Sequence, residues 1–341
     1  MTPFFRISSL TLAAAIALMA SEPAPAVISK VTDKGEVTTS FETSFVTAES
    51  VDGIEFLVDD PKAGNKLSMK RGGYRVVYDQ RKDIDFLRGQ GAENDDAEKA
   101  IGYYAKAVAA NRYDWVKEES LVAIARLNLA KKKYDDAIAA ADQLMKEVPR
   151  SLRLDDILAI KGRAQQAKGD AAGAKVTFGT LAGMAKEWGD GAAALGAFGL
   201  ASLLSDEKKP AEAAAALEPV LLRLTTAANS EQYGQVALAL AGYQEAAGKT
   251  DQALATLAKT AYAPGPNAAE AQLRWARLLA DKGATVEAFD HAAIVITLKG
   301  APDAAVAQAR ALVRTLVDKL QKDPGLTDQQ KLEYRQCRDN L

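Results

Sequence analysis

The sequence predicts a mainly α-helical protein, an α-α superhelix of about six degenerate helical hairpins that follows a small N-terminal antiparallel β domain. Three observations predict this fold class. Residues 121–149 read as two amphipathic helices joined by a short turn. Small residues recur from residue 100 onward at a period typical of helical repeats. Residues 27–79 instead hold short β-branched and aromatic runs that are separated by turn residues.

Composition excludes several classes of function. The chain has 341 residues, of which 48% are hydrophobic, so it can bury a sizeable core. With 43 basic and 45 acidic residues the net charge is −2, which provides no positive field for nucleic acid. The single cysteine, Cys337, rules out an internal disulfide, and the single histidine, His291, leaves little for a metal site or a catalytic triad. We therefore expect no metal and no cofactor.

Residues 1–26 are predicted to be a secretory signal peptide. Arg6 supplies positive charge, and residues 7–20 are uncharged, largely apolar and shorter than the roughly 20 residues of a membrane span. The small-x-small pattern Ala24-Pro25-Ala26 predicts cleavage after Ala26, with cleavage after Ala20 as the second choice and an uncleaved anchor as the alternative. The mature protein is expected to be soluble and exported, periplasmic or extracellular, and the form of the signal indicates a bacterial origin.

Residues 27–82 are predicted to form a small antiparallel β domain, an SH3-like or Sm-like barrel or sheet. Such a domain can bind a peptide or an oligonucleotide, but we favour a role as a packed cap on the helical array. The predicted strands are 27–32, 36–48, 53–58, 66–70 and 74–78. The side chains expected to pack against the first helices are Val76, Val77, Ile84, Phe86 and Leu87.

Residues 83–300 are predicted to form the helical repeats. An alanine marks each second helix, and consecutive alanines are 37, 37, 39, 40 and 35 residues apart. A second small residue stands twelve positions earlier in every unit except the first, where Arg88 occupies that position. The second-helix alanines are Ala100, Ala137, Ala174, Ala213, Ala253 and Ala288. Their partners in the first helices are Ala125, Gly162, Ala201, Ala241 and Ala276.

This pattern of two small residues, a bulky residue and a closing proline resembles the tetratricopeptide repeat, over about residues 94–300. The repeats are degenerate, because their period exceeds the family period of about 34 and only Pro149 closes a unit. The bulky residues are Tyr104, Phe178, Leu217 and Leu257, whereas Ala141 and Ala292 depart from the pattern. The resemblance implies a concave groove, lined by the first helices, that binds peptides or partner segments.

Residues 301–341 are predicted to form C-terminal capping helices. Pro302 opens a long amphipathic helix, which Asp323-Pro324-Gly325 ends. Thr327 and Gln330 then make a capping box at the start of a mostly polar helix. A polar last helix suits the exposed end of a repeat array.

No motif in the sequence predicts an enzyme. Gly248-Lys249-Thr250 is not a phosphate loop, because Tyr243 stands where that motif needs its first glycine. Four acidic pairs are interpreted as helix-start residues that complement the helix dipole rather than as catalytic or metal-binding carboxylates. These pairs are Asp95-Asp96, Glu118-Glu119, Asp135-Asp136 and Asp155-Asp156. An enzyme with its site in the β domain is disfavoured, because no pair of catalytic residue types occurs there.

Two kinds of residue are candidates for partner binding in the groove. Arg126, Arg163 and Arg277 each follow a small packing residue, and their guanidinium groups suit the carboxylates of an acidic peptide tail. An acid stands seven residues before each arginine, so we favour charge neutralisation between neighbouring repeats. These acids are Glu119, Asp156 and Glu270.

The two central units lack those charges and offer an apolar floor instead. Leu195, Phe198, Ser202 and Leu238 are expected to line this floor. An exposed apolar patch on a concave surface usually marks a binding site. We therefore expect the main partner contact at the centre of the groove.

The sequence thus predicts a non-enzymatic protein–protein interaction scaffold or adaptor of the bacterial cell envelope. Its partner is expected to be a protein or peptide segment, not a nucleic acid. The alternative is glycan or peptidoglycan binding through the groove or the β domain. Carbohydrate sites favour exposed aromatic platforms, whereas Trp115, Trp188 and Trp275 are predicted near helix ends or in the core, so we favour the scaffold.

Overall fold

The computed structural model describes residues 22–110, 112–224, 230–262 and 267–341. Most of the predicted signal peptide therefore lies outside the described residues. The chain divides into two compact units after Ser120. The structure confirms the predicted fold class, a tetratricopeptide-like array of helical hairpins with an N-terminal antiparallel sheet. The domain limits 27–82, 83–300 and 301–341 stay predictions.

The first unit contains a five-stranded antiparallel sheet in the order β4-β3-β2-β1-β5. β1 begins three residues earlier than the sequence predicted, and the other four strands begin within one residue of their predicted starts. The strands are β1 (Ala24–Val31), β2 (Val37–Ser50), β3 (Gly53–Val58), β4 (Asn65–Lys70) and β5 (Tyr74–Tyr78). A short 3-10 turn, Gln80–Lys82, follows β5.

One face of the sheet forms the core of this unit. Ile28 and Phe56 are fully buried, and Ile54 is 1% exposed. Ala24 and Ala26 are also buried, because β1 pairs with β2 from its first residue. The early start of β1 is therefore part of the packed sheet.

Aromatic rings connect this sheet to the helices of the same unit. The ring of Tyr78 stacks on Trp115 at 4.9 Å between centroids, and Phe86 meets Trp115 edge to face at 5.1 Å. Phe86 also contacts Tyr104, at 5.8 Å. The helices involved are α1 (Ile84–Ala92), α2 (Ala97–Ala110) and the beginning of α3 (Asp114–Ala130).

One carboxylate accepts hydrogen bonds from both tyrosines of β5. The hydroxyl of Tyr74 donates to one oxygen of Glu49 at 2.9 Å, and the hydroxyl of Tyr78 donates to the other at 2.6 Å. Burial, followed by the charge of Glu49, raises the pKa of both phenols far above the ordinary value. Both tyrosines therefore stay protonated hydrogen-bond donors.

The prediction of which apolar side chains cover the sheet is correct for Phe86, which is 4% exposed, and wrong for three others, among them Leu87 at 36% exposure. Val77 is 67% exposed and Ile84 is 61% exposed. Val77 lies on the opposite face of β5 from Tyr78, because successive residues of a strand alternate between faces. Ile84 is the first residue of α1, whose buried residues are Phe86 and Gly89.

The second unit consists of helices that pack against their sequence neighbours. Its helices after α3 are α4 (Tyr134–Glu147), α5 (Leu154–Lys168), α6 (Ala171–Ala182), α7 (Ala185–Trp188), α8 (Asp190–Asp206), α9 (Pro210–Arg223), α10 (Ser230–Ala246), α11 (Thr250–Ala261), α12 (Ala268–Asp281), α13 (Thr285–Thr297), α14 (Asp303–Leu320) and α15 (Asp328–Asn340). α9 begins at Pro210, a position that tolerates proline, and the predicted capping box of Thr327 and Gln330 is present in α15.

Five hairpins share the same turn. In each turn one residue has a left-handed backbone, with φ between 61° and 92°. That residue donates its N–H to the carbonyl three positions earlier, and the next residue donates to the carbonyl five positions earlier, which satisfies the last carbonyls of the first helix. The left-handed residues are Lys132, Gly169, Lys208, Gly248 and Gly283. Each lies five positions before a second-helix alanine.

All six second-helix alanines are fully buried, at 0% exposure. Their alanine partners in the first helices are equally buried. At Gly162 even a methyl group is excluded, because a Cβ there would lie 2.5 Å from the ring of Phe178. The hairpin of α1 and α2 also has a small residue at this contact, but it stands one position after Arg88. A Cβ at Gly89 would lie 2.7 Å from the ring of Tyr104, so Gly89 is the small residue of that hairpin.

The acidic pairs lie in first helical turns in α4 and α5, as expected, and not in α3. Glu118-Glu119 fall in the second turn of α3, because that helix begins at Asp114. Asp135, at the start of α4, forms a salt bridge with Lys168 at the end of α5. Such pairs connect one hairpin to the next.

We predict that Gly162→Leu destabilises the protein by about 1–3 kcal/mol or more, because the new side chain would collide with Phe178. Gly179→Ala is the matched control, since a Cβ at this other helical glycine meets nothing within 4 Å. Alanine there should raise stability by roughly 0.5–1 kcal/mol. Urea unfolding followed by circular dichroism would measure both variants. A wild-type midpoint for Gly162→Leu would contradict the helix register.

Candidate functional site

The first helices of successive hairpins form one continuous layer. α5 contacts α8, α8 contacts α10, α10 contacts α12, and α12 contacts α14. The sequence places the candidate partner-binding residues on these helices. We call the surface of this layer the first-helix face, and define it by Arg163, Gln166, Ser202, Asp206, Leu238, Gly242 and Arg274.

A side-chain amide links α5 to α8 on the first-helix face. Nε2 of Gln166 donates to Oγ of Ser202 at 3.0 Å and to Oδ2 of Asp206 at 2.8 Å. Ser202, a predicted site residue, is half-buried, and Asp206 is exposed. The structure therefore places Ser202 within a polar contact rather than on a purely apolar floor.

An arginine that the sequence did not single out links α10 to α12. Nη1 of Arg274 donates to the backbone carbonyl of Leu238 at 2.8 Å, and its Nε lies 3.4 Å from a carboxylate oxygen of Glu270. The guanidinium lies over Gly242, where an added Cβ would be 3.5 Å from Nη2. Leu238 thus contributes its carbonyl to the face as well as its side chain. Gly242 was the feature of the sequence that could have indicated this contact, since a glycine on a helix face leaves room for a long side chain from the neighbouring helix.

The three predicted arginines are all exposed, but they differ in their contacts. Arg277 donates to the side-chain carbonyl of Gln308 at 2.7 Å, and Gln308 lies on α14. Arg163 has no hydrogen bond or salt bridge with any residue that the structure describes. Arg126 is exposed on α3.

Three acids were predicted to neutralise the charge of these arginines. The prediction is wrong for two of the acids, which pair with other arginines. Asp156 pairs with Arg153, at 3.0 Å within α5 and its cap. Glu270 pairs with Arg274 on the same helix. Acids one turn away in the same helix reach their partners with less side-chain extension than acids two turns away. The positive charge of Arg163 therefore stays available.

The predicted apolar floor is half-buried. Leu195 packs against the cluster that contains Leu158 and Leu181, and Phe198 packs against the core formed by α8, α9 and α10. Leu238 packs against the cluster that contains Ala241 and Leu257. Each of these three side chains is therefore only partly accessible to a partner. Because neighbouring helices approach closely, side chains on the first-helix face also contribute to the core.

Carboxylates lie at the centre of the array. One oxygen of Glu245 is shielded from water and has no hydrogen-bond partner within the described chain. Burial, followed by the charge of Asp206, raises the pKa of Tyr243. The centre of the array is therefore polar, with Asp206 and Glu245 on α8 and α10 and the exposed cation Arg163 on α5.

The histidine of α13, His291, packs against side chains of α12. The ring of His291 stacks on Trp275 with centroids 4.0 Å apart, and its Nδ1 lies 2.6 Å from Oε1 of Gln272. Burial lowers the pKa of His291 below the ordinary value, although nearby Asp290 and Glu287 oppose the shift. In the part of the chain that is described, no group of three or more His, Cys, Asp or Glu residues could hold a metal.

Within the described ranges, no helix combines the length and apolar character that crossing a membrane requires.

Solved structures of other proteins align with this chain at low sequence identity. TTC0263, a thermophilic TPR protein in Thermus thermophilus, aligns over 57% of this chain and 97% of its own, with 20% identity and a TM-score of 0.38. The apo form of RapI aligns over 70% and 98%, with 12% identity and a TM-score of 0.46. BtubC from P. vanneervenii aligns over 68% and 96%, with 13% identity and a TM-score of 0.48. No protein-family model and no curated protein matches the sequence.

We predict that acidification through about pH 6.5 destabilises the wild-type protein more than a His291→Gln variant. The unfolded histidine takes up its proton near the ordinary pKa of about 6.5, whereas the folded histidine resists protonation. The unfolded state therefore binds more protons below that pH, and stability falls until the pH drops below the folded pKa. Melting temperatures at pH 5 and pH 8 would measure the effect. Parallel curves for the two proteins would contradict it.

Proposed function

We propose that the chain is a non-enzymatic protein-interaction scaffold that binds a partner segment on the first-helix face. The observation that supports this proposal most is a difference between two arginines. Arg274 is held by the Leu238 carbonyl and by Glu270, whereas Arg163 is exposed and has no partner in the described ranges. A preorganised surface with an unmatched charge reduces the entropy lost on binding and attracts an oppositely charged group.

The arrangement of charge favours a partner of mixed sign. Arg163 would bind a carboxylate of the partner, which extends the sequence-based hypothesis of an acidic peptide. Asp206 and Glu245, further along the array, would repel a uniformly acidic segment. Arg126 and Arg277 lie on α3 and α12, towards the two ends of the second unit. An extended segment with a carboxylate opposite Arg163 and a basic or hydrogen-bonding group opposite Asp206 and Glu245 would suit this surface.

Glycan binding has weaker support. Trp275 offers little free ring surface, because His291 stacks on it and Tyr262 meets it edge to face with centroids 5.9 Å apart. Trp115 is covered by Tyr78 and Phe86. Sugar-binding platforms need an exposed aromatic face, so these tryptophans favour a protein partner.

Export to the cell envelope is part of the proposal, with cleavage of the signal peptide after Ala20 rather than after Ala26. The N–H of Glu22 donates to the carbonyl of Arg112 at 2.9 Å, and the two side chains form a salt bridge at 3.1 Å. Cleavage after Ala26 would remove these contacts and the first three residues of β1. Cleavage after Ala20 would preserve them.

We predict that a photo-cross-linking amino acid placed at Ser202 captures one dominant protein partner in the native cell. The same amino acid at Val176 is the matched control, because Val176 is 72% exposed on a second helix, outside the first-helix face. Mass spectrometry would identify the adducts. Capture of glycan alone, or equal capture at both positions, would contradict the proposed function.

The identified partner then allows a direct test with purified proteins. Arg163→Glu should weaken binding about tenfold or more, since it reverses an exposed charge opposite a carboxylate. Val176→Glu should bind as the wild type does. Both substitutions affect exposed side chains, so both melting temperatures should stay near the wild-type value.

We also predict that the mature protein begins at Ser21. Mass spectrometry of its N-terminal peptide from the native host would determine the cleavage site. A recombinant chain that starts at Val27 should unfold at a lower temperature than one that starts at Ser21, because it lacks buried Ala24 and Ala26. A native N-terminus at Val27 would overturn the assignment.

A further inference from the structure

Strand β4 is an edge strand whose core-facing side chains remain partly uncovered. β4 pairs with β3, and no other described strand pairs with it. In the β3–β4 register Leu67 is opposite Phe56, so both face the core side of the sheet. Phe56 is fully buried, whereas Leu67 is 36% exposed. The core face is therefore open along β4.

A cavity of about 780 Å³ lies at this open side. Phe41, Leu67 and Met69 supply apolar surface to its wall, and Asp33 is its only acidic lining residue. The volume lies within the range of roughly 300–1,000 Å³ that is typical of ligand pockets. The basic residues of the lining are Lys30, Lys70 and Arg71.

Two lysines of this lining, Lys30 and Lys70, carry positive charge that no salt bridge with a described residue neutralises. Both lysines are exposed. Lys66, on the same strand, differs because it pairs with Glu55 at 2.8 Å. A negatively charged occupant would therefore complete the electrostatics of the cavity.

Lysines also protect edge strands from unwanted pairing, and that role alone explains Lys66 and Lys70. It does not explain why Leu67 and Met69 leave an apolar cavity beside the strand. An added strand next to β4 would explain both features. Its inward side chains would cover the cavity, and its acidic side chains would meet the lysines.

We propose that β4 binds an extended acidic segment of a partner protein, which adds a sixth strand to the sheet. The backbone of the segment pairs with the free edge of β4, a common mode of peptide recognition. Its apolar side chains enter the cavity beside Leu67 and Met69, and the carboxylates on its other face lie alongside Lys70, which the alternation of β4 places opposite Leu67 and Met69. This site lies in the first unit and does not depend on the first-helix face.

The test uses the full mature chain and a fluorescein-labelled peptide of eight residues in which valine and glutamate alternate. Fluorescence anisotropy should show saturable binding that weakens as salt rises. A control peptide with lysine in place of glutamate should bind at least about tenfold more weakly. Absence of binding by the glutamate peptide, or equal binding of the two peptides, would overturn the proposal.

Two substitutions locate the site. Leu67→Asp and Lys70→Glu should each weaken peptide binding at least about tenfold, without a large change in melting temperature, since both side chains are exposed. Val77→Asp on the opposite edge strand and Arg163→Glu on the first-helix face should bind the peptide as the wild type does. If Leu67→Asp does not fold, Lys70→Glu decides the result. Wild-type affinity in Lys70→Glu would overturn the proposal.

A second copy of the chain is the competing occupant. Sedimentation of the wild type would then show a dimer that Leu67→Asp converts to a monomer, and the proposal of a partner segment would be overturned. A wild-type monomer that binds the glutamate peptide would support it.

Discussion

In five hairpins of the second unit the two helices pack so closely that only a methyl group or a hydrogen atom fits at the contact. The second-helix alanines are all fully buried. The ring of Phe178, on α6, occupies the space that a Cβ at Gly162 on α5 or at Gly199 on α8 would need. A larger residue at such a contact would separate the helices and expose the apolar surface on both. The contact therefore determines which side chains remain on the first-helix face.

The turns set where these contacts fall. A left-handed residue stands five positions before the buried alanine in five hairpins, so one turn geometry fixes the register of each pair. Lys132 and Lys208 adopt this conformation although a side chain there costs roughly 1–2 kcal/mol relative to the right-handed region. Two such turns persist without glycine because the packed helices on either side fix their geometry.

The sequence predicted elements more accurately than contacts between elements. Strand alternation and helical spacing are local properties, so β3 and β5 were predicted at their observed limits. Contacts across helices depend on how one hairpin is rotated against the next, which no local period contains. Arg274 was therefore missed and Arg277 chosen instead, and Leu195 and Phe198 proved to be half-buried. The sequence analysis left the first hairpin as an exception, because Arg88 stands at the expected position, whereas the structure places the small residue of that hairpin one position later, at Gly89.

The same close packing limits what the first-helix face can use for recognition. When neighbouring helices touch, large apolar side chains such as Phe198 are shared with the core, and a partner cannot contact their whole surface. The proposed recognition would then depend on groups long enough to extend beyond the layer. Gln166 and Arg274 already bond across adjacent helices, so they order the surface more than they supply new contacts. Arg163 has no such bond in the described ranges, so under the proposed function its charge would be the feature of this surface best able to discriminate between partners.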